Sequence, residues 1–219
     1  MRMYKSINWQ IRTFFILWLI FLYFNIRQPF SFLLLNTFLG YIPIELSLEL
    51  DNKHIKNSWL MWPIFMIWIV FYPNVPYLLT DLFHLEQLYP YIQGNLRLDS
   101  LIWFNYACLM VTVIACLILG CYSLFKVTNA LAYKMHLNNI ISKLVILITL
   151  TFISSVGIFI GRFLRLHTVY IMLSPKVVIK QLLSMWSPEM LKFVFIMMAI
   201  QLFACWVMSL VYKNIKNTK

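Results

Sequence analysis

Charge is what this chain has least of. Only 11% of its 219 residues are charged, and acidic side chains number seven against eighteen Lys and Arg. A soluble chain of this length carries about 25% charged residues to keep its surface wet, so a water-borne globule is excluded. Familiar catalytic motifs are missing too. No G-x-S-x-G, H-E-x-x-H, Walker A or G-x-G-x-x-G occurs, and none of His54, His84, His136 and His167 falls at mid-span, where paired haem ligands belong. That lowers the standing of hydrolase, nucleotide and haem chemistry. The cysteines Cys108, Cys116, Cys121 and Cys205 lie in apolar stretches, without C-x-x-C spacing or a neighbouring His. They read as packing thiols, and no metal or cofactor is expected. A dense basic run is also absent, so the net charge of +11 speaks for membrane topology and against nucleic acid. With no repeat, low-complexity tract or soluble segment, residues 1–219 read as one integral membrane domain.

What fills the sequence is apolar surface: 62% hydrophobic and 17% aromatic residues, with a mean hydropathy of +0.80. A helix crosses the hydrocarbon core in about 20 residues, and six stretches suit that length: 8–25, 30–48, 58–72, 101–125, 140–161 and 190–212. The fold class expected is all-α, a polytopic bundle with short links. The third stretch is short, and Pro73 and Pro76 follow it, so it is expected to continue as a broken helix whose freed backbone groups are covered by protein. Arg2, Lys5 and Arg12 precede the first apolar run as in a signal peptide, yet no small-x-small cleavage site follows. The segment is therefore expected to stay as an orienting first span. Residues 175–186 place Lys176 and Lys180 four apart among apolar side chains, with Trp186 beyond. That pattern predicts one interfacial helix, with a lid over the polar face as the other reading.

Two linkers, 73–100 and 162–189, hold most of the polar chemistry. With six spans, the third and fifth run in the same direction, so both linkers open on the face opposite the termini. Eleven Lys and Arg fall on the termini's side and seven on the other. This predicts cytoplasmic termini in a bacterial cytoplasmic membrane, with the bilayer and its anionic headgroups as partners. Oligomeric state is left open.

In Thr80-Asp81-Leu-Phe-His84, a carboxylate and an imidazole stand three apart on one helix face, with Tyr77 a turn earlier. Such a set can bind a cation, relay a proton or act as acid and base. The plainer reading is that Asp81 pairs across the bundle and His84 sits at headgroup level. Gly157 and Gly161 form a G-x-x-x-G, which predicts close helix packing. Arg162 and Arg165, with His167, can fork a carboxylate or phosphate, Asp81 being the internal candidate, or can snorkel to headgroups. Glu45 and Glu49 lie one turn apart, followed by Asp51. They are expected at the interface on the termini's side, without a functional part.

The stretch Tyr72-Pro-Asn-Val-Pro-Tyr-Leu-Leu-Thr-Asp-Leu-Phe-His-Leu85 resembles the signature F-P-N-x-P-Y-x-x-T-D-L-x-H-L of a bacterial membrane family catalogued as domain of unknown function 1361. Ser154-Ser-Val-Gly-Ile-Phe-Ile-Gly-Arg-Phe-Leu-Arg165 is similar to its second block, S-x-G-I-Y-L-G-R-F-x-R, and Asn36-Thr-Phe-Leu-Gly-Tyr-Ile-Pro43 to a third. The likeness covers most of the chain from the second span to the sixth. Tyr72 departs from the family's Phe and leaves the motif intact. The resemblance implies a compact polytopic protein. It singles out Asn74, Tyr77, Thr80, Asp81, His84, Gly161, Arg162 and Arg165, and carries no activity with it. Two functions stay open: a non-enzymatic binding, transport or assembly component, or a membrane enzyme acting on a lipid headgroup through Asp81, His84 and the arginines.

Overall fold

The structure, a computed structural model, describes residues 2–50, 58–137, 139–164 and 175–217. The all-α expectation holds. Among the described residues, six helical segments are long and apolar enough to cross a membrane: Ile7–Asn25, Phe32–Leu50, Met61–Leu88, Ser100–Lys134, Ile140–Leu164 and Pro188–Tyr212. By contact the chain divides into two compact units, Met1–Ser123 and Leu124–Lys219.

In the first unit, α2 (Phe32–Leu50) is the centre. It packs against α1 (Arg2–Asn25), α3 (Met61–Phe71) and α4 (Asn74–Asp81). Fully buried Phe15, Leu33, Ile44, Trp68 and Leu78 fill the space between them. Gly40 and Gly120 are there for close approach. A Cβ at Gly40 would meet Leu78 Cδ1 at 3.3 Å and Cys116 Sγ at 3.5 Å, and one at Gly120 would land on the Val75 side chain. These contacts seat α5 (Ser100–Lys134) against α2 and α4. The Trp68 indole N–H donates to Ser123 Oγ at 2.9 Å, and that hydroxyl donates to the Pro43 carbonyl at 3.1 Å. Three helices are thereby tied through polar groups that the bilayer cannot satisfy.

The third span is broken as expected, between Phe71 and Asn74. Tyr72 and Pro73 both stay in the right-handed helical region. Pro76 has no N–H to offer the Tyr72 carbonyl, and the Val75 N–H donates to it at 3.0 Å instead. That leaves the Phe71 carbonyl short of its usual donor, and the Asn74 side-chain amide supplies one at 2.9 Å. The backbone then continues through Asp81 into a 3₁₀ turn, Leu82–Leu88, which Tyr89 closes at φ 46°. A small exposed hairpin follows, β1 (Tyr91–Ile92) pairing with β2 (Asn95–Leu96). Its two-residue loop has positive φ at both Gln93 and Gly94, the type I′ requirement that glycine meets without cost. Asp99 Oδ1 accepts the Leu101 N–H at 2.8 Å and opens α5. Helix therefore replaces much of the expected linker 73–100.

The same correction applies between the fourth and fifth expected spans, where residues 126–139 separate 101–125 from 140–161. Helix α5 runs to Lys134 and buries Lys126, Thr128 and Leu131. Its 35 residues span about 52 Å at 1.5 Å per residue, well beyond a hydrocarbon core of about 30 Å.

In the second unit, α6 (Ile140–Phe159) packs along α8 (Pro188–Asn217). Each helix starts on a polar cap: Asn139 Oδ1 accepts the Ser142 N–H at 2.6 Å, and Ser187 Oγ accepts the Met190 N–H at 3.1 Å. Between the two helices, Gln201 Nε2 donates to Ser155 Oγ at 2.9 Å. Beyond Phe159 the chain takes a π-helical turn, Ile160–Leu164. Helix α7 (Pro175–Ser184) is the short amphipathic helix expected there, with Lys176 and Lys180 exposed.

Candidate functional site

Asp81 ends α4, where the helix tightens into the 3₁₀ turn. Its side chain is 0% exposed. An ionised carboxylate so placed is expensive unless several donors reach it. Asn36, on the facing side of α2, is one, its amide donating to Asp81 Oδ2 at 2.7 Å. His84 is the neighbour on the same turn, with Nδ1 at 3.7 Å from Asp81 Oδ1 and at 3.2 Å from the Asp81 main-chain carbonyl. A carbonyl only accepts, so the shorter contact requires the proton on Nδ1. Nε2 then remains as the nitrogen that can take a proton or bind a cation.

The His84 ring lies against Phe32, with centroids 4.2 Å apart and planes tilted by 35°. At 22% exposure it is the outward-reaching member of the pair. Thr80 is buried and turns its hydroxyl onto the Tyr77 carbonyl at 2.7 Å, closing the same turn from inside. Asn74 repairs the helix break, and Tyr77 is half-buried. The cluster therefore comprises a sealed acceptor, Asp81, and an accessible imidazole, His84, both braced by α2.

A model of the family described as "Protein of unknown function (DUF1361)" matches residues 35–204. The chain belongs to that family. No curated protein and no solved structure matches it. The DUF1361 match takes in Asn36 and the whole of the third span, while α1 and Phe32 precede it.

The second family block falls in the second compact unit. Its Gly161 and Arg162 sit on the π turn, Gly161 exposed and Arg162 half-exposed, while Gly157 is half-buried in α6. π turns are rare and collect at functional positions. Arg165, His167 and Asp51 lie outside the described residues. All four cysteines are buried, and none is in a disulfide. Among the described residues no three His, Cys, Asp or Glu side chains converge as a metal site would need.

Two features of this DUF1361 chain escaped the sequence reading. Asn36 stands in the third family block without a role implied by the resemblance, although a lone amide in an apolar span is a usable signal. Glu45, expected at the interface without a functional part, is paired. Arg12 Nε lies 2.9 and 3.1 Å from its two carboxylate oxygens, the Tyr41 hydroxyl donates to Oε2 at 2.7 Å, and Arg12 also reaches Glu49 at 3.0 Å. The cause is geometric: Tyr41, Glu45 and Glu49 stand one turn apart on α2 and form a ladder facing α1.

Proposed function

We propose that this DUF1361 member is a non-enzymatic binding, transport or assembly component of the bacterial cytoplasmic membrane. It holds a small polar ligand or a partner's polar group at the end of its broken third span. His84 makes the contact, and Asp81 is the fixed acceptor behind it. What carries this reading is the wholly buried Asp81 side chain held at 2.7 Å by Asn36. A buried ionisable group inside a membrane bundle is retained where it serves a site. The basic bias of the termini's side supports cytoplasmic termini.

A specific observation favours a second reading, a lipid-headgroup enzyme. The His84–Asp81 approach of 3.7 Å is close to the reach at which a carboxylate orients an imidazole base. In that reading Nε2 takes the proton.

Lipid and metabolite profiling of a deletion strain, complemented with wild type, Asp81→Asn or His84→Ala, separates the two. The binding reading expects one lipid profile in all strains while both variants fail to restore the cell's phenotype. A lipid that accumulates in the deletion strain and persists with His84→Ala establishes the enzyme and removes the first reading.

A further inference from the structure

The six-residue turn that joins α1 to α2, residues 26–31, heads an open apolar groove of about 460 Å³ between the two helices. On the α1 side its wall is Tyr23 and Phe24, which are 68% and 72% exposed. On the α2 side it is Leu34, Leu35 and Phe38. Ser31 lines the end nearest the turn. Both helices qualify as membrane spans, so this groove opens within the bilayer. From Ser31 to Phe38 it descends about 10 Å at helical rise, the depth of the outer part of one leaflet's acyl chains.

Arg27 lies on that turn, exposed, with its carbonyl accepting the Phe30 N–H at 2.9 Å. Among the described residues no carboxylate pairs with it. The apolar slot therefore ends at the same six-residue turn that carries Arg27, four residues before Ser31.

We propose that this groove is a binding site for one anionic glycerophospholipid, with an acyl chain between α1 and α2 and the phosphate at Arg27. Charge selects the occupant. Guanidinium and phosphate pair through charge-assisted hydrogen bonds, and a cation beside the membrane favours anionic over zwitterionic lipid by about fivefold. A second copy seated on the same face would bring two Arg27 side chains together across a twofold axis, at a cost in repulsion. The site goes beyond the reading above and is independent of it: Phe32 and Asn36 face His84 and Asp81 from a different flank of α2, about 130° round the helix.

The test is native mass spectrometry of the full-length protein from micelles containing equal phosphatidylglycerol and phosphatidylcholine of identical chains. Wild type and Arg27→Lys are expected to retain one more phosphatidylglycerol than Arg27→Gln does. Leu35→Trp, which fills the groove from an exposed position, is expected to lose that same lipid with the charge intact. Arg27 and Leu35 are both exposed, so the fold is preserved in these variants, and unchanged thermal unfolding verifies it. Equal retention of the two lipids by wild type overturns the proposal. So does a phosphatidylglycerol preference that survives Arg27→Gln, or a lipid-free dimer that Leu35→Trp dissociates.

Discussion

Helix α2 carries a polar contact toward each end, and the two are built differently. Near its start, the neutral amide of Asn36 meets a carboxylate that is 0% exposed. Nine residues further on, Glu45 meets a full positive charge, Arg12, with side-chain exposures of 29% and 24%. Along the helix they are about 13 Å apart. This half-exposed cluster, one guanidinium facing Glu45 and Glu49, joins α1 to the family core, as a structural clamp would. At the sealed end Asp81 has a histidine at its mouth, and a site is arranged so: one group kept fixed, another left reachable. The proposed function therefore rests on the Asp81 end, and the Arg12 end is its anchoring counterpart.

Four substitutions press on that contrast. Asp81→Ala leaves the Asn36 amide without this acceptor in a buried place, and is expected to cost about 2 to 3 kcal/mol, read as a fall in the unfolding midpoint in detergent. If Asp81→Ala is no more damaging than Arg12→Gln, the two ends are not different in kind. Gly120→Ala drives a Cβ into Val75, the wedge that keeps α4 and its terminal Asp81 in place. The expected loss is about 1 to 3 kcal/mol, and Val75→Ala added to it should recover much of that loss. Arg12→Gln removes a half-exposed ion pair, with an expected cost of about 1 kcal/mol or less. It should also loosen α1, visible as faster proteolysis of the first span. Smallest in stability is His84→Ala, within about 0.5 kcal/mol, while cell function falls to that of the deletion strain. A large loss of stability in this variant would make His84 a packing residue.

The sequence announced the elements better than their ends. Six apolar stretches were plain from hydropathy, and the break at Pro73 followed from proline's missing N–H. What lay beyond the break was not legible. Prolines that end one helix also fit the first turn of the next, so 73–100 read as linker where the chain stays helical to Asp81. Lys126 ended an apolar run and thus a predicted span, yet α5 continues past it, because leaving the bilayer is no reason for a helix to stop. Pairings between elements were hidden for another reason. Asn36 with Asp81 and Arg12 with Glu45 are 45 and 33 residues apart, and periodicity within one helix says nothing of its neighbour. The π turn at Gly161 and Arg162 has no composition signal at all, since it is one residue's worth of extra backbone in a continuous helix.

The account rests on the contact between Asn36 and Asp81, and a double-mutant cycle reads it directly. Unfolding in detergent of Asn36→Ala, Asp81→Ala and the double variant should show a coupling of about 1 to 2 kcal/mol, at the upper end of polar contacts measured between membrane helices. Strictly additive losses would mean that Asn36 does not hold Asp81, and the buried acceptor behind His84 would have to be abandoned.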